Sequence, residues 1–249
     1  MNTKNNGTII EKNIITYINK NKYINNMNEN MKNFLCYIFN FNLANHQIKA
    51  YKYAEKYKPD IIVTANGISK YISIKSGNNN SVHQEHFYSF LFFLSELQIK
   101  KELITELRLF QFNDGTLNGT GQNRRTAIEF LEKNQEKIQE INNFLNNSQT
   151  IEIIIDRLLF KGEYPNVSKA DYIYYGNIQN GLWASRNEII YYLLNEKNYS
   201  SSIHVSKLYY QSLHRNLKYD KFYEYRRHYI QFKWYSIKQD LEFITKKRK

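Results

Sequence analysis

Residues 58–77 have the sequence KPDIIVTANGISKYISIKSG, in which Asn66-Gly67 separates two runs rich in β-branched residues. Asn-Gly is the strongest short signal for a two-residue β-hairpin turn, because both residues tolerate positive φ. If these two residues form the turn, Ala65 pairs with Ile68. The segment therefore predicts two antiparallel strands joined by a tight turn.

The predicted register places three polar side chains on one face of this hairpin. Counting outward from the turn puts Asp60 opposite Ser73, and directly opposed residues in an antiparallel pair point the same way. Lys75 lies two residues beyond Ser73 and shares its face, because side chains alternate along a strand. We therefore predict an acid, a hydroxyl and a lysine together at the open end of the hairpin. The opposite face carries the apolar residues Ile61, Val63, Ile72 and Ile74.

A second carboxylate follows the hairpin. Ser81 and Gln84 form a capping-box pattern before an apolar run at helical spacing, so a helix is predicted with Glu85 in its first turn. The short connection keeps Glu85 within reach of Asp60 and Lys75. Two carboxylates and an ammonium group at one sheet edge suit a hard cation such as magnesium, which takes oxygen ligands and keeps waters for chemistry.

This set of residues resembles the PD-(D/E)xK nuclease superfamily, in particular type II restriction endonucleases of a Ser-x-Lys variant with the second acid on the following helix. The resemblance implies a restriction-endonuclease-like fold and a Mg2+-dependent endonuclease that hydrolyses phosphodiester bonds of double-stranded DNA. It also implies that Asp60 and Glu85 hold the metal and that Ser73 and Lys75 complete the catalytic group. The matching residues are Pro59-Asp60, Ser73-Ile74-Lys75 and Glu85.

The serine at position 73 stands where the commoner pattern has an acid, and it leaves alternatives open. Glu55, on the preceding segment, could supply the second carboxylate in place of Glu85. The chain could also be a noncatalytic nucleic-acid-binding protein that retains the nuclease fold. The third alternative is a related nuclease whose substrate is RNA or a structured DNA.

Composition sets the outer bounds on fold and partner. The chain has 249 residues, 16% aromatic content and a formal net charge of +12, which favours a folded protein with a polyanionic partner such as nucleic acid. Its single cysteine, Cys36, excludes an internal disulfide and a cysteine metal cluster. No run approaches the roughly 20 apolar residues of a membrane span, so we expect a cytoplasmic protein without a membrane partner.

The remaining segments predict alternating helices and strands around one sheet, and hence an α/β fold with a mixed sheet flanked by helices. A nuclease-like core with N-terminal helices is predicted over residues 1–200, and a basic helical region packed on it over residues 201–249. Within the core, the segment before residue 57 and residues 124–145 are predicted as helices, residues 107–111, 151–160 and 171–176 as strands, and residues 113–121 as a polar loop.

The tail from His204 to Lys249 has twelve Lys and Arg residues and four Asp and Glu residues, so it carries eight of the twelve net positive charges. Basic groups neutralise phosphates and interleaved aromatic rings stack on bases. The alternative is that these aromatic residues form the buried stripe of a helix. A homodimer is expected, since a twofold axis presents two sites to a palindrome. The predicted DNA contacts are Arg124, Arg125, Arg215, Arg226, Arg227 and Lys233.

Overall fold

The computed structural model describes residues 6–40, 46–54, 57–77, 80–164, 166–196, 198, 200–213 and 224–248. The chain forms two compact units. The first comprises Met1–Asn80, Asp156–Leu193 and Ser236–Lys249, and the second comprises Ser81–Ile155 and Leu194–Tyr235. This division does not coincide with the predicted boundary at residue 200, because the last helix belongs to the same unit as the first sheet.

Helices and strands follow one another in groups along the described chain. The α-helices are α1 (Asn6–Asn21), α2 (Glu29–Phe39), α3 (Phe87–Glu96), α4 (Lys101–Phe112), α5 (Ala127–Lys133), α6 (Gln135–Leu145), α7 (Ile151–Asp156), α8 (Arg186–Asn195) and α9 (Ile237–Lys247). The strands are β1 (Ile48–Lys52), β2 (Ile61–Ala65), β3 (Ile68–Lys75), β4 (Ser81–His86), β5 (Tyr172–Gly176), β6 (Gly181–Ser185), β7 (His204–Val205), β8 (Leu208–Ser212) and β9 (Tyr229–Lys233). No helix in the described ranges is long and apolar enough to cross a bilayer.

The first unit contains a mixed five-stranded sheet in the order β1-β2-β3-β5-β6. Strands β3 and β5 are parallel, and the other neighbours are antiparallel. The predicted hairpin is confirmed, since Ala65 pairs with Ile68 across a turn in which Asn66 and Gly67 have φ of 49° and 73°. The mixed sheet flanked by helices confirms the predicted α/β class.

One face of this sheet is buried against the two N-terminal helices. The apolar hairpin residues, among them Ile61, Val63 and Ile72, join one core with the inward sides of α1 and α2. Tyr174 of β5 is 1% exposed, and its ring packs edge to face on Phe34 of α2 at 4.8 Å. Burial of this alternating strand face fixes the register, because a one-residue slip would turn the apolar set outward.

The second unit contains an antiparallel sheet in the order β4-β9-β8-β7. The prediction that a helix begins at Ser81 was wrong, because Ser81–His86 is strand β4 and α3 begins at Phe87. Pairing with β9 gives the segment a ladder of backbone hydrogen bonds, which stabilises a strand more than the capping box stabilises a helix. The same pairing buries Val82, His83 and Glu85. Long-range pairing therefore overrides the local capping signal.

Two segments predicted as strands are helical. Residues 107–111 lie inside α4, and residues 151–160 form α7 and a π-helical turn over Arg157–Lys161. Their apolar residues recur every three or four positions, which favours a helix once the whole run is considered. The buried residues at that spacing are Leu103, Leu107 and Phe110 in α4 and Ile151, Ile154, Ile155 and Leu158 in the second segment.

Three predicted helices also differ from the structure. Residues 48–52 are the edge strand β1, and residues 124–145 contain two helices separated at Asn134. The described part of the tail is not mainly helical, because β7, β8 and β9 precede α9. Burial in the tail alternates as in a strand, with Ile230, Phe232 and Trp234 each fully buried. The alternative of a helical aromatic stripe is therefore wrong as well. The strand predicted over residues 171–176 is confirmed as β5.

The tight approach of β6 to the Tyr174 ring gives a test of this core. A Cβ added at Gly181 would lie 1.9 Å from the Tyr174 hydroxyl oxygen, which itself hydrogen-bonds Asn30 and Asn177. We expect Gly181→Ala to lower the free energy of unfolding by about 1–3 kcal/mol through overpacking, as measured by urea denaturation. Gly7→Ala in α1, where an added Cβ has room, is the control, and equal stability of the two variants would contradict this packing.

Candidate active site

The hairpin brings Asp60, Ser73 and Lys75 together at its open end. The Asp60 backbone N–H donates to the Ile72 carbonyl at 2.8 Å, which continues the ladder by one residue. The Asp60 carboxylate oxygen Oδ2 accepts from the Ser73 hydroxyl at 3.2 Å and from the Ile74 N–H at 2.5 Å. The predicted opposition of Asp60 and Ser73 therefore holds, and β3 fixes the orientation of the carboxylate.

Lys75 lies beside the same carboxylate oxygen. Its Nζ is 3.6 Å from Asp60 Oδ2 and donates to the Ile74 carbonyl at 3.2 Å. The two side chains are 19% and 24% exposed, so solvent reaches the pair but screens it less than a surface pair. Ser73 is fully buried, and its small side chain leaves space beside the acid.

A polar cavity of about 230 Å³ opens next to Asp60. Helix α1 contributes Thr8 and Glu11 to its wall, and the end of β1 and the following residues contribute Lys52 and Tyr53. The hydrogen bonds and the ion pair of the Asp60 side chain with described residues all fall on Oδ2, so no described group hydrogen-bonds Oδ1. The cavity therefore combines an available carboxylate oxygen with a second acid, Glu11, that the sequence analysis missed.

Glu85 and Glu55, the two predicted sources of a second carboxylate, have different outcomes. Glu85 lies on β4 in the second unit and not in the first turn of a helix. It is 2% exposed, and its Oε1 lies 2.8 Å from Nε2 of the equally buried His83. Glu55 lies outside the described residues. Within the described ranges, no group of three or more His, Cys, Asp or Glu side chains is placed to hold a metal.

The fold of the chain resembles that of a solved structure. The chain is similar to the crystal structure of restriction endonuclease MspI in complex with its cognate DNA, with a TM-score of 0.52 and 12% sequence identity. The alignment covers 91% of this chain and 88% of that chain. The fold is restriction-endonuclease-like. No protein-family model and no curated protein sequence matches the chain.

The predicted DNA contacts lie in varied surroundings within the second unit. Arg124 forms an ion pair with Glu224 at 2.6 Å and is 8% exposed, whereas Arg125 is exposed. Arg226 is half-buried and donates to the Tyr225 hydroxyl at 3.3 Å. Their DNA contacts stay predictions. Lys233 lies over the Tyr235 ring, and Arg215 falls outside the described residues.

The prediction that Arg227 lies on an exposed side was wrong. Arg227 is 2% exposed, and its guanidinium donates to Asp114 Oδ2 at 2.8 Å and to the Gly119 carbonyl at 2.5 Å. Asp114 also accepts from the backbone N–H of Thr116 and of Gly121. The polar loop predicted over residues 113–121 is therefore wrapped around a buried ion pair, which leaves Arg227 no exposed charge for a phosphate.

The electrostatics of Asp114 agree with that role. Burial alone would raise the pKa of its carboxyl, but hydrogen bonds from Arg227 and Thr116 and the charge of Arg227 outweigh burial and lower the pKa below its usual range. The ionised form is thus stabilised in the folded state. Its contribution to stability is present above the unfolded pKa and is lost as pH falls through the lower folded pKa.

Removing one partner of this buried pair should be costly. We expect Arg227→Met to lower the free energy of unfolding by about 3–5 kcal/mol, because it leaves the Asp114 carboxylate buried without its cation. Chemical denaturation at neutral pH measures this loss. Arg125→Met removes the same charge from an exposed position of the same unit and should change stability by less than about 0.5 kcal/mol. Similar losses for both variants would contradict the structural role of Arg227.

Proposed function

We propose that this chain is a Mg2+-dependent DNA endonuclease of the restriction type. The observation that carries the proposal is the Asp60, Ser73 and Lys75 cluster, whose hydrogen bonds and ion pair join an acid and a lysine at one hairpin end. That cluster lies in a chain with a restriction-endonuclease-like fold. A fold alone supports many functions, so the arrangement of the site residues carries the argument.

Asp60 and Glu11 are the residues that would hold the metal in this proposal. Carboxylate oxygens are the ligands that Mg2+ prefers, and both residues line the same polar cavity. Asp60 Oδ2 is engaged by β3, which leaves Oδ1 for a cation. A bound Mg2+ would supply charge neutralisation at a phosphate and a water with a lowered pKa. The predicted assignment of this role to Glu85 is kept as the alternative that experiment must decide.

Lys75 has the electrostatic role in the proposal. Its ammonium group is held beside Asp60 and retains donor capacity beyond its bond to the Ile74 carbonyl. A positive charge fixed at this position would offset charge on a scissile phosphate and orient an attacking water. Ser73 positions the acid, because its buried hydroxyl donates to Asp60 Oδ2. Neither role requires an acid at position 73.

Double-stranded DNA is the proposed substrate. The neighbour that shares the fold is described as a complex with its cognate DNA, and the net charge of +12 suits a polyanion. Arg124, Arg125, Arg226 and Lys233 remain the proposed backbone contacts. We also propose that two copies of the chain act together, since cutting both strands of a palindrome needs two sites related by a twofold axis.

Loss of either charged group of the cluster should abolish cleavage. We expect Asp60→Asn and Lys75→Met to slow Mg2+-dependent cleavage of plasmid DNA by at least about a hundredfold, because each removes charge at the reacting centre. Lys70→Met is the matched control, since Lys70 belongs to the same strand at the opposite parity and lies near the Tyr172 ring. It should cut at close to the parent rate.

Cleavage by Asp60→Asn or Lys75→Met protein at the parent rate would refute the assignment. Salt-dependent DNA binding by the parent without metal-stimulated cleavage would instead favour the noncatalytic binding protein. The substrate panel should include duplex DNA, single strands and RNA, each with Mg2+ and with chelator. Cleavage of RNA alone would assign the site to a ribonuclease.

The choice between the two glutamates can be tested separately. We expect Glu11→Gln to slow cleavage by about a hundredfold while DNA affinity in chelator is unchanged, because it removes a metal ligand and not a DNA contact. Glu85→Gln should lower the thermal midpoint, since it disturbs the buried pair with His83, and leave the cleavage rate per folded molecule near that of the parent. Glu29→Gln on α2, an exposed site, is the control. The reverse ranking would restore Glu85 as the ligand.

A further inference from the structure

A second group of polar side chains surrounds the ring of Tyr88 in the second unit. The guanidinium carbon of Arg108 lies 5.4 Å from the centre of this ring. The ring centres of His86 and His228 lie 5.6 and 6.2 Å from the same point. Arg108 comes from α4, His86 precedes α3, and His228 precedes β9. Three separate elements therefore bring groups that can carry positive charge to one tyrosine.

These groups have no acceptor from the described part of the chain. Arg108 forms no hydrogen bond or ion pair with the described residues, and its Nε is buried without a partner. No described group hydrogen-bonds the ring nitrogens of His86 or His228 either. Buried polar atoms normally have hydrogen-bond partners, so the buried Nε of Arg108 calls for a ligand, ion or water. An arginine has five donors and no acceptor, so the missing partner of Arg108 is an acceptor.

The electrostatics favour an anion at this point. Burial and the nearby His86 and Arg227 lower the pKa of His228, while Glu224 acts in the opposite direction. Positive charge in the cluster is thus mutually repulsive until an anion is bound. A metal cation is disfavoured, because the guanidinium would repel it. The two imidazole rings are also stacked with an interplanar angle of 7°, so their nitrogens lie in parallel planes and do not converge on one metal ion.

The surrounding aromatic rings indicate which chemical class of anion fits this site. The half-buried Tyr88 ring lies beneath the guanidinium, and the half-buried rings of His86 and Tyr229 extend the aromatic cluster from it. A guanidinium fork matches a phosphate group, and aromatic faces next to it suit the bases that accompany a phosphodiester. A simple carboxylate ligand would not use the rings.

We propose that Arg108, His86 and His228 form a phosphate-binding site for the backbone of a nucleic acid, with Tyr88 as its floor. This site rests on the proposed function for its ligand class, but its residues belong to the second unit and not to the Asp60 cavity. Arg108 supplies the permanent charge, and the histidines add donors at the ring edges. The permanent charge of the site, Arg108, lies outside the basic tail.

The test is DNA binding in chelator, where cleavage cannot interfere. We expect Arg108→Gln to raise the Kd for a fluorescein-labelled duplex about tenfold in fluorescence anisotropy and to reduce the salt slope by about one, because one phosphate contact is lost. His228→Gln should raise the Kd by a smaller factor. Lys101→Gln is the matched control, since it removes the same charge from an exposed position of the same helix. The control should change the Kd less than twofold.

Four comparisons decide the outcome. An Arg108→Gln protein that is folded by circular dichroism and binds with the parent Kd and salt slope would overturn the site, as would equal weakening by Lys101→Gln. Arg108→Lys, which keeps charge but loses the fork, should fall between parent and Arg108→Gln. Inorganic phosphate at constant ionic strength should displace the duplex from the parent more readily than from Arg108→Gln protein. Phosphate binding that Arg108→Gln abolishes while the Kd for the duplex is unchanged would show that the site takes free phosphate and not a nucleic acid backbone.

Failure of this site and failure of the proposed nuclease give different results. Parent-like cleavage by Asp60→Asn protein would remove the nuclease assignment, yet the Arg108 comparison would still report on phosphate binding. Conversely, Mg2+-dependent cleavage that is lost in Asp60→Asn but unaffected in rate and affinity by Arg108→Gln would keep the nuclease and reject the phosphate site.

Discussion

The carboxylate of Asp60 is held at one oxygen by the neighbouring strand, and the candidate active site depends on that constraint. The Ile74 N–H and the Ser73 hydroxyl both donate to Oδ2. Charge-assisted bonds of this kind are stronger than neutral ones, so the acid cannot rotate freely. The fixed oxygen also holds Lys75 in an ion pair. One face of a hairpin thereby orients an acid and a base together, while its other face anchors the core of the first unit.

This hairpin could be predicted from the sequence because the residues that determine its register lie within the hairpin itself. The Asn66-Gly67 turn fixes the register, and the register then determines which side chains share a face. The mixed α/β class could be predicted for a related reason, since alternating helical and strand patterns limit the architecture. The wrong predictions concern elements whose secondary structure is set by pairing with distant segments of the chain. Ser81–His86 carries a helix-capping pattern, yet pairing with β9 makes it a strand.

The position of the second acid could not be predicted for a similar reason. Glu85 follows the hairpin closely, and sequence proximity favoured it. The chain instead enters a second sheet at β4 and buries Glu85 beside His83. Glu11 lies on the first helix, and only the packing of α1 places it on the cavity wall beside Asp60. No local pattern around Glu11 distinguishes it from any other helical glutamate, so the tertiary structure is the source of this assignment.

The positively charged residues also show that composition does not determine where a side chain lies in the structure. The count of lysine and arginine predicts a polyanionic partner, but it cannot separate an arginine that binds a ligand from one that supports a loop. Arg227 is paired with Asp114 and enclosed by the 113–121 loop, so its charge is neutralised within the protein. Arg108 has a ring beneath it and no described acceptor. Because a buried polar atom without a partner is costly, the buried Nε of Arg108 points to a ligand more strongly than an exposed tail of lysines does.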